Sequence, residues 1–103
     1  MAIPLELRTE GTRAELVLRG SLALGDAEAL LEKARLAAAG GKAVAIDLSE
    51  ANHVHTSCLQ ILAALEKDLV LRGRLFEVVS PSENASRLLS LAGLGRWLVE
   101  AEQ

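Results

Sequence analysis

The chain is expected to fold as one α/β domain spanning residues 1–103, with a mixed four- to five-stranded sheet, an N-terminal hairpin and three to four helices packed against it. Three observations predict this. The first twenty residues hold two stretches in which apolar and polar residues alternate, the pattern of half-buried strands. Two short apolar runs follow, Ala43–Ile46 and Leu75–Val79, of the kind found in buried parallel strands. Apolar stripes at helical spacing lie before, between and after those runs, so strands and helices alternate.

Taken in order, Ile3, Leu5 and Leu7 alternate with Pro4, Glu6 and Arg8 in a first strand. Glu10-Gly11-Thr12 turns the chain. Ala14, Leu16 and Leu18, alternating with Arg13, Glu15 and Arg19, return antiparallel to the first strand. Gly20–Gly25 reads as a connection and Asp26 as a helix N-cap. Behind it Ala27, Leu30, Leu31, Ala34 and Ala38 share one helical face, and Gly40-Gly41 stops the helix. Ala43–Ile46, closed by Asp47-Leu48-Ser49, suits a central strand covered on both faces. Cys58, Ile61, Leu62, Leu65 and Leu69 stripe a second helix that ends at Gly73. Leu75–Val79 is a further buried strand. Ser80-Pro81-Ser82-Glu83 places serine at the N-cap, proline at N1 and glutamate at N3 of a third helix, whose buried face is Ala85, Leu88, Leu89 and Ala92. Gly95–Val99 is either a short strand or a terminal turn.

Composition narrows the function. Of 103 residues, 50% are hydrophobic, yet only Phe76 and Trp97 are aromatic, so the core is aliphatic. The mean hydropathy of +0.28 is high for a small domain, but no apolar run approaches the roughly 18 residues of a membrane span. Direct membrane insertion is not expected; surplus apolar surface points to a protein-docking face. The net charge of −3, with no basic stripe and few stacking rings, argues against nucleic-acid binding. The N-terminus lacks the pattern of a signal peptide, and a single cysteine rules out an internal disulfide, which together point to the cytoplasm.

The polar residues concentrate at one place, the strand-to-helix junction His53–Gln60. Thr56 and Ser57 fall where the second helix must open, so either could serve as its N-cap. A hydroxyl there is also a suitable phosphoacceptor, because a phosphate meets free N–H groups and the positive end of the helix dipole. His53, His55 and Cys58 are three ligand-type residues within six positions, but no fourth ligand lies nearby in sequence, and no metal is expected. Cys58 lies on the buried stripe, where a thiol behaves as a small hydrophobe, which counts against a Cys/His hydrolase. No phosphate loop, nucleophile motif or carboxylate pair appears; neither an enzyme nor a cofactor is expected.

The order of these motifs resembles the STAS domain family, which includes bacterial anti-sigma factor antagonists. Val44–Ser49, five intervening residues and then His55-Thr56-Ser57-Cys58-Leu59-Gln60 resemble the family's central signature. Leu18-Arg19-Gly20, Ser80-Pro81, Leu88-Leu89 and Ala92-Gly93-Leu94 extend the likeness over nearly the whole chain. Two positions differ: His55 stands where the family usually has aspartate, and Cys58 where it usually has glycine. The resemblance implies a signalling protein that regulates transcription by partner switching. It implies phosphorylation at Thr56, with Ser57 as second choice, by a Ser/Thr kinase anti-sigma factor that is also the docking partner. The docking face expected from it comprises Ser21, Asn52, His53, His55, Thr56, Ser57, Gln60, Ala64 and Lys67, on a monomer or weak homodimer. The other readings are a constitutive adaptor in a chemotaxis, stress-signalling or lipid-transport assembly and, behind it, a metal-binding module.

Overall fold

The computed structural model describes residues 4–101. These form β1 (Leu5–Glu10), β2 (Arg13–Leu22), α1 (Ala27–Ala39), β3 (Ala43–Val54), α2 (Thr56–Leu71), β4 (Phe76–Val79), α3 (Glu83–Leu91) and α4 (Arg96–Ala101). The sheet order is β1-β2-β3-β4, with β1 and β2 antiparallel and the β2–β3 and β3–β4 pairs parallel. The described residues therefore give a four-stranded mixed sheet with four helices, at the lower strand count of the expected range. Ile3, assigned by its alternation to the first strand, lies outside the described residues.

The hairpin closes with Glu10 opposite Arg13, leaving Gly11 and Thr12 as a two-residue turn. Gly11 sits at φ +56°, the left-handed conformation such turns demand. Strand alternation then sorts the side chains. Ala14, Leu16 and Leu18 of β2, Val44, Ile46 and Leu48 of β3 and Val78 of β4 join one core with the inner faces of the helices. The other face carries Glu6, Arg8, Arg13, Glu15, Arg19, Glu50 and Glu77 in a run of ion pairs. β3 is thus central but not sandwiched between helix layers. Ala45 is nonetheless fully buried on the charged side, paired in register between Glu15 and Glu77, because long charged side chains cover apolar surface with their stems.

Several local expectations are corrected. α1 buries Leu30, Ala34 and Ala37, while Leu31 faces outward at the edge of the stripe. Asp26 holds the N-cap position of α1 as expected but makes no side-chain cap hydrogen bond there; its carboxylate accepts the Ala23 N–H at 2.7 Å across a short 3-10 turn, Leu24–Asp26. The Gly20–Gly25 connection begins as strand, since β2 continues to Leu22. α3 starts later than the serine-proline pair indicates: Ser80 adopts φ +46°, Pro81 precedes the helix, and the cap is Ser82, whose Oγ accepts the Ala85 N–H at 3.0 Å. Glu83 is therefore N1 rather than N3. Leu75 lies outside β4 and is exposed. The segment at Gly95–Val99 is helical and delivers Trp97 to the core.

The end of β3 positions the functional junction. Pairing with β2 slips twice, between Val17 and Arg19 and again between Gly20 and Ser21, so β3 carries extra residues relative to β2. Gly20 takes φ +68° at the second slip. The Asp47 carboxylate accepts the Ser49 N–H at 2.9 Å beside the first. Through these bulges every third residue points inward, Leu48, Ala51 and Val54, and the polar residues between them stay in solvent.

Candidate functional site: the β3–α2 junction

α2 opens immediately after β3, and the His55 N–H is held by the Leu22 carbonyl at 2.9 Å. The N-cap is His55, not Thr56 or Ser57. Its Nδ1 accepts the Ser57 N–H at 3.0 Å and lies 2.8 Å from the Ser57 hydroxyl. The imidazole therefore satisfies one of the open N–H groups of the first turn, a task usually left to Ser, Thr, Asp or Asn. Thr56 follows at N1 and is exposed; Ser57 at N2 is half-buried. The first turn of α2 holds no acidic residue, so the positive end of the helix dipole is not offset there.

His55→Ala is expected to lower unfolding free energy by roughly 1 kcal/mol, the usual cost of a lost N-cap. His55→Asp is expected to keep wild-type stability, since a carboxylate caps and complements the dipole. Urea denaturation of both variants decides this; equal losses would show that the imidazole acts by packing instead.

Thr56, Leu59, Gln60 and Ala63 form one wall of a shallow groove of about 430 Å³, and Leu91, Ala92 and Leu94 form the other. His53 and His55 extend the groove toward Leu88. Leu91 is 81% exposed, an unusual place for a leucine with a buried stripe beside it. Ser21 pairs in register with His53 across β2 and β3, and Asn52 accepts a hydrogen bond from Asn84 of α3. The structure thus gathers Ser21, Asn52, His53, His55, Thr56, Ser57 and Gln60 at one end of the domain. Ala64 and Lys67 are exposed but lie roughly 12 and 16 Å along α2 from Thr56, by the 1.5 Å rise per residue. Ala64 turns toward α1, in a depression shared with Leu31, Ala38 and Ile61. The α3 wall was missed by sequence reasoning. Its only signal was Leu91, a leucine falling between the stripe positions Leu88, Leu89 and Ala92.

The metal reading does not survive the geometry. Among the described residues no group of three or more His, Cys, Asp or Glu side chains is placed to hold an ion. Cys58 is fully buried, with its thiol directed at the Ala23 carbonyl 3.7 Å away, whereas His53 is exposed. Burial pushes the Cys58 thiol above its ordinary pKa, which disfavours the thiolate a nucleophile needs.

The sequence matches the family described as "Mlab, STAS domain" over residues 5–100. The chain belongs to the STAS domain family. Solved structures agree with this STAS assignment. The anti-sigma factor antagonist from Mycobacterium paratuberculosis superposes with a TM-score of 0.79 at 22% identity, over 96% of this chain and 93% of that one. The anti-sigma factor antagonist SpoIIAA in its unphosphorylated form gives 0.78 at 17% identity, over 90% and 84% of the two chains. The Bacillus SpoIIAA in its phosphorylated form gives 0.73 at 17% identity, over 90% and 86%. These TM-scores establish a shared fold. No curated protein sequence matches the chain. No helix among the described residues is long and apolar enough to cross a membrane.

Proposed function

We propose that this STAS domain is a non-enzymatic signalling protein of the anti-sigma factor antagonist type, controlled by phosphorylation of Thr56. Its docking partner is a Ser/Thr kinase anti-sigma factor. The observation that carries the reading is the exposed Thr56 at N1 of α2, on the lip of an apolar groove. A partner seated in the groove covers that hydroxyl. A phosphate there adds about two negative charges to the contact and is tolerated by the domain, because the helix N-terminus attracts anions. Support also comes from SpoIIAA, an antagonist of the same fold known in both unphosphorylated and phosphorylated forms.

The test is incubation with a Ser/Thr kinase anti-sigma factor from the same genome, followed by mass spectrometry and binding. Phosphate is expected on Thr56 of the wild type and absent from Thr56→Ala. The phosphorylated protein is expected to bind at least about tenfold more weakly, as an unpaired charge buried in a contact costs more than 1.4 kcal/mol. Gln60→Arg and Leu91→Asp are each expected to weaken docking of the unmodified form. A wild type that acquires no phosphate on Thr56 would rule out the switch.

One observation favours a second reading, a constitutive adaptor in a chemotaxis, stress-signalling or lipid-transport assembly. His55 occupies the position where the family usually has aspartate, and its ring is committed to the cap of α2. In that reading the same groove docks its partner without modification, so Leu91→Asp abolishes binding while Thr56→Ala leaves it unchanged.

A further inference from the structure

His55 holds more than the backbone of α2. Its Nδ1 accepts the Ser57 N–H at 3.0 Å, so that nitrogen presents a lone pair and the ring proton sits on Nε2. The Ser57 Oγ lies 2.8 Å from the same Nδ1 and therefore donates its hydrogen to it. Both polar hydrogens of Ser57 thus converge on one imidazole nitrogen. Ser57 is half-buried, whereas its neighbour Thr56 is exposed on the lip of the groove.

We infer that His55 is a positioning residue that selects the modified hydroxyl: it fastens Ser57 Oγ against the first turn of α2 and leaves Thr56 as the member of the pair that a kinase can use. The inference rests on the phosphorylation reading above and adds to it the group that sets the site. In phosphoryl transfer the hydroxyl oxygen forms a bond to the γ-phosphorus of a nucleoside triphosphate. The bond from that phosphorus to the diphosphate breaks, and the hydroxyl proton passes to a base on the kinase. Ser57 can follow this course only by giving up its bond to Nδ1 and rotating about χ1 out of the turn. Thr56, already exposed, has no such bond to His55 to break.

The imidazole is a lock for Ser57 rather than the base that activates it. A proton taken up on Nδ1 would end the acceptance of the Ser57 N–H and uncap α2. It would also set a cation at the positive end of the helix dipole, where the first turn carries no acidic residue to offset it.

Treatment with the same kinase, with phosphate mapped by mass spectrometry, tests the inference alongside NMR of the unmodified proteins. The wild type is expected to carry phosphate on Thr56 alone, and Thr56→Ala to gain little on Ser57. Adding His55→Ala to Thr56→Ala is expected to speed modification of Ser57 at least about fivefold, the scale of one hydrogen bond that no longer has to be broken. Adding His55→Asp instead is expected to restore the slow rate, because a carboxylate accepts the same two donors. The Hα–Hβ couplings of Ser57 are expected to report one χ1 rotamer in the wild type and in His55→Asp, and averaged rotamers in His55→Ala. His55→Asp retains a cap, so the comparison does not hang on the folding of the alanine variant. Ser57 modified in Thr56→Ala as fast as in either double variant, or a Ser57 side chain averaged in the wild type, would overturn the inference and leave the Thr56 switch standing. So would phosphate on Ser57 of the wild type beside that on Thr56. A wild type modified at neither hydroxyl would refute the switch, and the selection of Thr56 with it.

Discussion

Trp97→Ala is expected to destabilise the domain by roughly 3–5 kcal/mol, a large part of the 5–15 kcal/mol typical of small domains. Trp97 is fully buried in an otherwise aliphatic core and stacks at a tilt on Phe76, with ring centroids 5.5 Å apart. Its indole N–H donates to Glu66 at 2.8 Å, and Arg96 holds the other carboxylate oxygen at 2.6 Å. One residue of α4 therefore fills the space beneath β4 and ties α4 to α2. Urea denaturation should show a midpoint shifted down with little change in slope. Trp97→Phe keeps most of the volume and loses the hydrogen bond, so about 1–2 kcal/mol is expected for it. A cost below about 1 kcal/mol for the alanine variant would mean that α4 is peripheral to the core.

The next largest effect is expected at Arg74. Its guanidinium donates to the carbonyls of Ala37, Ala38 and Lys42, so one side chain caps the last turn of α1 and fixes the approach to β3. α1 has no basic residue in its own last turn, and of the three carbonyls Ala37 also accepts the Gly40 N–H at 3.3 Å. Arg74→Ala is expected to cost about 2–3 kcal/mol, in the range for hydrogen bonds from a charged donor. Arg74→Lys should recover less than half, because an ammonium cannot span three acceptors as the planar fork does. Hydrogen exchange adds a spatial check: protection should fall first at the C-terminal end of α1. Loss spread evenly over the domain would refute the cap.

Much of the fold is legible because patterning and punctuation agree. The alternation of Ala14, Leu16 and Leu18, the stripe from Cys58 to Leu69 and the glycines behind α1 and α2 each specify one element. Reading failed where the backbone leaves its period. β3 appeared to stop near Ser49 because its bulges turn a two-residue repeat into a three-residue one at Leu48, Ala51 and Val54. Ser80 and Ser82 offered two equivalent caps for α3, and only the left-handed backbone at Ser80 separates them. At the site, the position of Thr56 followed from the junction itself. The cap by His55 did not, since histidine carries little cap preference. The opposite wall of the groove depends on how α3 lies against β3, a long-range packing outcome that local sequence does not encode.

That packing rests on one hydroxyl. Ser82 Oγ accepts the Ala85 N–H and donates to the Ala51 carbonyl at 2.5 Å, while the Ser82 N–H bonds Leu48. The start of α3 is thereby fastened to the same bulged stretch of β3 that leads into Thr56. The two sides of the groove share a foundation, so the partner proposed above would meet a seat already shaped. Recognition of that partner is then expected to lose little conformational entropy to ordering, with docking rather than folding around the guest.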